Sequence, residues 1–324
     1  PYDWDIREAM TTSTVEENQR PTNPSLTIAN QAVGRDHPPF IIAEMSGNHN
    51  QSIDRALAIV EAAAEAGVDA LKLQTYTADT MTLNIGEGDF AIDDPTSLWH
   101  GRTLYDLYEE AHTPWEWHKP LFERCRALGI IPFSTPFDHT AVDFLETLDA
   151  PCYKVASFEN TDLPLIKRIA ATGKPIIIST GMSNLGQIED AVDVVIQEGN
   201  QNLMLLHCNS SYPASPDEMN LNVIPNLQKT FNIPIGLSDH TFGLFVSHTA
   251  IVMGANLIER HFTLDRTFEG PDHILSSEPE EFSELVSISK QVPIIIGDGI
   301  KRIQPSEYDT INTQRKSIYA ANKC

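Results

Sequence analysis

Residues 40–75, FIIAEMSGNHNQSIDRALAIVEAAAEAGVDALKLQT, read as one strand–helix–strand unit. Phe40 to Ser46 (FIIAEMS) is a short apolar run, the pattern of a buried strand. Ser52 to Ala66 (SIDRALAIVEAAAEA) places Ile53, Leu57 and Val60 at helical spacing, and Gly67 ends it. Ala70 to Thr75 (ALKLQT) is the next strand. Further runs follow at Ile131 to Pro136 (IPFSTP), Cys152 to Ser157 (CYKVAS), Ile176 to Thr180 (IIIST), Leu203 to Cys208 (LMLLHC), Ile233 to His240 (IPIGLSDH) and Leu257 to Thr263 (LIERHFT). Strand–helix units of this kind recur roughly every 20 to 30 residues, as β/α units do. Eight of them predict an α/β chain folded as a closed (β/α)8 TIM barrel over 36–300, rather than an open doubly wound sheet. No Gly-x-Gly-x-x-Gly follows the first strand, which argues against dinucleotide binding.

The flanks are less structured. Residues 1–35 are rich in Thr, Asn, Pro and Glu and are expected to be a flexible extension, with folded sequence beginning near Pro38. From Thr77 to Pro114 a long interval is expected to be a loop excursion over the active face. The chain has 324 residues, 41% of them hydrophobic and 21% charged, which fits an ordinary folded protein. No apolar run is long enough for a membrane helix, and no basic-then-apolar leader opens the chain, so a cytoplasmic protein is expected. With 45 acidic against 22 basic residues the net charge is −23, which repels nucleic acid and anionic membranes. An anionic substrate therefore has to be met by a local group of cations. Cys125, Cys152, Cys208 and Cys324 lack paired spacing, and the first three read as small buried hydrophobes.

Catalytic groups of a barrel lie where inward positions reach the C-terminal ends of the strands. By parity these are Ile42, Glu44 and Ser46, then Lys72 and Gln74, then Ser134 or Thr135, then Lys154 with Ser157. The later strands end in Ser179 and Thr180, His207 and Asn209, Ser238 and His240, and Glu259, His261 and Thr263. One charged residue in an apolar strand can be a paired core ion, but a ring of them persists only if the groups serve each other or a ligand. Lys72 and Lys154, with the hydroxyls of Thr135, Ser157 and Ser238, can hold a dianionic phosphate or carboxylate. A lone strand histidine is more often a hydrogen-bonded core residue, whereas His240 and His261 on neighbouring strand ends can converge on one divalent ion, with His207 in reserve. Zinc-type spacing is missing, so an exchangeable manganese or magnesium site is expected.

These strand-end motifs resemble the nonulosonic acid synthases, which condense phosphoenolpyruvate with an amino sugar. The matching segments are AEMSGNHN (43–50), KLQTYTADTMT (72–82), FSTPFD (133–138), YKVASFENTDLPLI (153–166), ISTGMS (178–183), HCNSSYP (207–213), GLSDHT (236–241), ERHFTLDR (259–266) and GPDH (270–273). Within the family the chain is more similar to the pseudaminic acid branch than to the sialic acid branch. It has Met45-Ser46-Gly47 after the first-strand Glu, Ser157-Phe158-Glu159 after the fourth-strand Lys, and the insert at 104–122.

The resemblance implies a (β/α)8 barrel followed by a small antifreeze-like domain, of which 301–324 would be the linker and a truncated start. It further implies a homodimer in which the partner's small domain completes the sugar site. Carried over by motif, Lys72, Thr135, Lys154, Ser157, Ser179, Asn209 and Ser238 would bind phosphoenolpyruvate, and His240 and His261 would hold the metal. Glu44, Gln74, Phe137, Tyr212 and Asp272 would face the acetamido sugar, and Glu159 would manage protons beside Glu44 and the two lysines. No organic cofactor is implied. Rival expectations are the same chemistry on a sialic or legionaminic acid precursor, a Schiff-base aldolase using one lysine, and an inactive barrel kept for binding.

Overall fold

The computed structural model describes residues 23–93, 99–270 and 272–311. Its strands are β1 (Ser25–Ile28), β2 (Gln31–Gly34), β3 (Phe40–Glu44), β4 (Ala70–Thr75), β5 (Ile131–Pro136), β6 (Tyr153–Val155), β7 (Ile176–Ser179), β8 (Leu203–Cys208), β9 (Ile235–Ser238) and β10 (Leu257–His261). The strands β3 to β10 close into one parallel barrel, in which β10 pairs with β3 from Leu257 opposite Phe40 to His261 opposite Glu44. The expected (β/α)8 barrel is therefore present.

Helices cover its outside: α1 (Ile53–Ala66), α2 (Ala78–Met81), α3 (Leu104–Ala111), α4 (Trp115–Leu128), α5 (His139–Thr147), α6 (Leu163–Ala170), α7 (Leu185–Gln197), α8 (Val223–Phe231), α9 (Phe245–Val252) and α10 (Pro279–Ile296). The first helix shows why the sequence folds locally as it does. Ser52 caps α1 by accepting a hydrogen bond from Arg55 N at 3.3 Å, and Gly67 ends it in the left-handed region at φ 82°. The buried face of α1 carries Ala56, Ile59, Val60 and Ala63, small and β-branched residues that pack on Ile41, Leu71 and Leu121. Among the described residues no helix is long and apolar enough to cross a membrane.

A second apolar layer fills the barrel itself. Phe40, Ile42, Ala70, Phe133, Cys152, Ile177, Met204, Leu206 and Leu257 point inward and meet Leu26, Ile28 and Val33 of the β1–β2 hairpin. The hairpin plugs the N-terminal end of the barrel. Folded sequence thus begins before Pro38; Leu26, Ile28 and Val33 lie in strands of four residues each, too short for their alternation to stand out in the sequence. Residues 1–22 and 312–324 lie outside the described residues, as do Cys324 and most of the expected C-terminal segment.

The interval from Thr77 to Pro114 is more than a loop. It holds α2 and α3, an Ala91–Thr103 bridge and, between Gly88 and Phe90, a single 3-10 turn. Gln51 Nε2 ties α3 to the C-terminal end of the barrel by donating to Glu110 O at 2.9 Å and His112 O at 2.6 Å. Gly47 makes that approach possible, since a Cβ there would stand 3.3 Å from Ala111.

Candidate active site

Strand parity fixes which side chains enter the mouth. Inward apolar residues continue, two positions further on, into Glu44, Lys72, Thr135, Lys154, Ser179 and Cys208, and then Glu259 and His261 follow Leu257. The structure thus brings Glu44, Lys72, Gln74, Thr135, Lys154, Ser179 and Ser238 together as expected, with Thr135 rather than Ser134 facing inward. Ser134 Oγ instead lies 2.6 Å from Thr75 Oγ1 on the outer face.

At the centre stand two lysines and two carboxylates, all buried. Lys72 Nζ lies 2.6 Å from Glu44 Oε2 and 3.5 Å from Glu259 Oε1, and Lys154 Nζ lies 3.6 Å from that same Glu259 oxygen. Burial alone would lower the pKa of Lys72, but the charges of Glu259 and Glu44 outweigh it and hold Lys72 above its ordinary value. For Lys154 burial wins, with Glu259 offsetting part of it, and its pKa falls. Burial pushes Glu44 up against the pull of Lys72, while Glu259, although buried, is held down by Lys154 and Lys72. Glu259 is the charge that both lysines share.

Hydroxyls extend this cation pair. Lys72 Nζ donates to Thr135 Oγ1 at 3.2 Å and Lys154 Nζ to Ser179 Oγ at 2.6 Å. Ser157 Oγ accepts from Gly181 N at 3.1 Å, and Ser238 Oγ donates to Glu259 Oε1 at 3.3 Å. Gly181 is required by this packing, because a Cβ there would come within 2.2 Å of Ser210 Oγ and 2.7 Å of Ser157 Oγ. Asn209 turns its side chain to Ser211 N at 2.9 Å and presents its carbonyl to His240.

Beside the cations stand His240 and His261, their ring centroids 5.4 Å apart. His240 Nδ1 lies 2.8 Å from Asn209 O and so carries a proton; burial pulls this imidazole down, but Cys208 and that carbonyl outweigh it and hold it above its ordinary value. His261 is held well below its ordinary pKa by burial and by neighbouring cationic groups, and its buried Nδ1 has no hydrogen-bond partner among the described residues. Tyr212 packs its ring 4.3 Å from that of His240 and 5.9 Å from that of His261. Asp272 places Oδ2 3.8 Å from His261 Nδ1, accepts a short hydrogen bond from Ser46 Oγ, and is raised by burial. Gln74 Nε2 bridges the two groups, 3.0 Å from Glu44 Oε1 and 3.3 Å from Ser46 Oγ. Among the described residues no cluster of three or more His, Cys, Asp or Glu is arranged as a metal site.

Glu159 sits on the short turn after β6, and burial, opposed by Lys154, raises it to about 7. It borders a cavity of about 510 Å3 lined also by Thr80, Met81, Phe137, Phe158 and Asp162. Phe137 stands edge-on to Tyr76 at 5.2 Å.

His207 does not belong to this assembly. The inward positions of β8 are Leu206 and Cys208, so His207 points outward and its Nε2 meets Met219 O 2.5 Å away. The expected inward parity of β8, through His207 and Asn209, is therefore shifted by one residue in the structure. Cys208, read from the sequence as an inert hydrophobe, is inward instead, with Sγ 3.9 Å from His240 Nδ1. Glu259 reads in the sequence as one inward charge among several, and the structure makes it the hub of the ion cluster.

Comparison with known proteins agrees with this geometry. A family model described as the NeuB family matches residues 59–301. A pseudaminic acid synthase of Campylobacter jejuni is 42% identical over 264 residues, covering 82% of this chain and 76% of that protein. The N,N'-diacetyllegionaminic acid synthase of the same species is 38% identical, covering 87% of this chain and 84% of its own length. The crystal structure of N-acetylneuraminic acid (sialic acid) synthetase from Leptospira borgpetersenii superposes with a TM-score of 0.79 at 31% identity, covering 90% of this chain and 96% of that one. A barrel whose motifs line its mouth, matched over most of its length, identifies the enzyme class: the chain belongs to the NeuB family and catalyses a phosphoenolpyruvate-dependent transferase reaction of the nonulosonic acid synthase type.

Proposed function

We propose that the chain is a pseudaminic acid synthase, condensing phosphoenolpyruvate with 2,4-diacetamido-2,4,6-trideoxy-L-altrose and releasing phosphate by C–O cleavage. The observation that carries this reading is the pairing of Lys72 and Lys154, buried on Thr135 and Ser179, with the imidazoles of His240 and His261 alongside. Support for the pseudaminic branch comes from Met45-Ser46-Gly47, Ser157-Phe158-Glu159 and the helical insert containing α3, and from the 42% against 38% identity of the two Campylobacter relatives.

The phosphate and carboxylate of phosphoenolpyruvate take the place of Glu44 and Glu259 on the lysines, with Thr135, Ser157, Ser179, Asn209 and Ser238 supplying further hydrogen bonds. Its methylene carbon attacks the open-chain aldehyde, the central carbon gains cationic character, and water adds there before phosphate departs. Lys72 and Lys154 stabilise that leaving phosphate. Glu159, poised near 7, orients the water and takes its proton. Glu44, Gln74, Phe137, Tyr212 and Asp272 hold the sugar, whose far end reaches the cavity bordered by Phe137 and Glu159.

The donor set fits an exchangeable divalent ion, manganese or magnesium, because the buried His261 Nδ1 has no hydrogen-bond partner among the described residues and the His240 ring stands beside it, two imidazoles that would leave other positions to water and substrate. Held by His240 and His261, such an ion supplies Lewis acidity at the aldehyde oxygen. We extend the reading to a cytoplasmic homodimer. The test is phosphate release from phosphoenolpyruvate with manganese by the full-length gene product. The altrose sugar is compared with the legionaminic acid precursor and N-acetylmannosamine. Selective turnover of the altrose sugar is expected. Preference for either other sugar moves the assignment to that branch, and no release with any of them overturns the synthase reading.

A further inference from the structure

Immediately behind the two histidines lies an ion pair on the opposite face of the strands. Asp239 and Arg260, each one residue before His240 and His261, point away from the barrel axis and are buried, with Arg260 only 2% exposed. Arg260 Nη1 pairs with Asp239 Oδ2, and Nη2 donates to Thr241 O at 2.7 Å. The fork therefore grips the chain on both sides of His240. Asp239 completes the grip, since its Oδ1 accepts from Thr241 N at 2.9 Å and from Thr241 Oγ1 at 2.7 Å. On its other side Arg260 Nε donates to Ser277 Oγ at 3.0 Å, and Ser277 N donates to His261 O at 2.8 Å.

We infer that Arg260 and Asp239 are positioning residues that fix the separation and aim of His240 and His261 for a divalent cation. The inference rests on the metal reading above. Stability alone does not account for the pair, because burying two charges costs several kcal/mol and well-packed apolar residues serve a barrel–helix interface as well or better. What apolar residues cannot supply is a planar fork tying four separate segments, the end of β9, the end of β10, Ser247 of α9 and the Ser277 turn, into one register. Such hydrogen bonding behind metal ligands typically carries 10- to 100-fold in metal affinity.

The test measures Mn2+ binding directly, by electron paramagnetic resonance of the free ion, on the full-length protein and on Arg260→Lys and Ser277→Ala, with thermal unfolding alongside. Arg260→Lys keeps the charge and loses the fork. It is expected to bind Mn2+ at least about tenfold more weakly, with a matching rise in half-saturating Mn2+ for turnover and kcat at saturating Mn2+ within about threefold of wild type. Ser277→Ala removes only the Nε tie and is expected to weaken binding about threefold, which keeps the question open to measurement if the lysine variant does not fold. Wild-type Mn2+ affinity in the folded variants, or kcat lost equally at every Mn2+ concentration, overturns the inference while leaving the metal reading intact. Failure of the wild type to bind Mn2+ overturns the metal reading and this inference with it.

Discussion

Glu44 and Lys72 are Cα partners in the β3–β4 register, and Glu44 Oε2 comes within 2.6 Å of Lys72 Nζ. Both side chains are buried at the mouth of the barrel, above its apolar layer, so their attraction is little screened by water. An anionic substrate has to draw Lys72 away from this carboxylate and from Glu259. The cluster is a charge-balanced arrangement that a ligand must open.

Replacing Glu44 by Gln keeps the shape and the hydrogen bond with Gln74 while removing one competitor for Lys72. Phosphoenolpyruvate is expected to bind about 3- to 10-fold more tightly to Glu44→Gln, worth roughly 1 kcal/mol. The condensation rate should nevertheless fall by about 100-fold or more, since the carboxylate faces the sugar in the proposed chemistry. Calorimetric titration and steady-state kinetics read the two effects separately. Weaker phosphoenolpyruvate binding would show that Glu44 supports the anion site instead of competing with it.

Glu159 gives a pH signature. Its carboxyl is raised by burial from an ordinary 4.5 to about 7. As a base its activity appears only when ionised, so turnover should rise with pH through about 7 and that limb should vanish in Glu159→Gln, at a rate about 100-fold lower. Stability runs the other way. A carboxyl whose pKa is higher folded than unfolded contributes its full stabilisation below about 4.5 and loses it as pH rises through about 7. The melting temperature of the wild type should therefore fall relative to Glu159→Gln between pH 5 and pH 8, and parallel curves would contradict the assignment.

Substrate binding should also move protons. At pH 7 Glu159 is about half protonated, and an anion bound on Lys154 removes part of the positive charge that holds its pKa down. Phosphoenolpyruvate binding is then accompanied by uptake of a fraction of a proton. Titrations in PIPES and in Tris, whose ionisation enthalpies differ, should give different apparent enthalpies, and the difference should shrink in Glu159→Gln. Identical enthalpies in both buffers would mean that the bound anion does not reach this carboxyl.

The barrel was legible because its strand runs are long and regularly spaced, and most of the mouth was legible because period-2 parity holds from the apolar layer to Glu44, Lys72 and Lys154. Parity misled at β8, where His207 attracted attention as a ligand type while the actual inward residue, Cys208, is chemically quiet in sequence. Glu259 is inconspicuous in the sequence for a different reason. Its importance lies in being shared by two lysines from β4 and β6, a relation that closing the barrel creates and no local pattern announces. The β1–β2 hairpin was hidden because four-residue strands carry too little periodicity to stand out from a polar leader.

That hairpin makes the last prediction. Ile28 is fully buried against the inward layer at the N-terminal end of the barrel, with Leu26 and Val33 beside it. Truncating it leaves a void among Phe40, Phe133 and Leu257 that rigid strands cannot close, so Ile28→Ala should cost about 2–4 kcal/mol of stability. The lysine cluster lies at the other end of the same strands, and kcat at temperatures well below unfolding should stay within about twofold of wild type. Chemical denaturation with parallel kinetics checks both. A loss below about 0.5 kcal/mol would mean that the hairpin lies on the barrel without filling it.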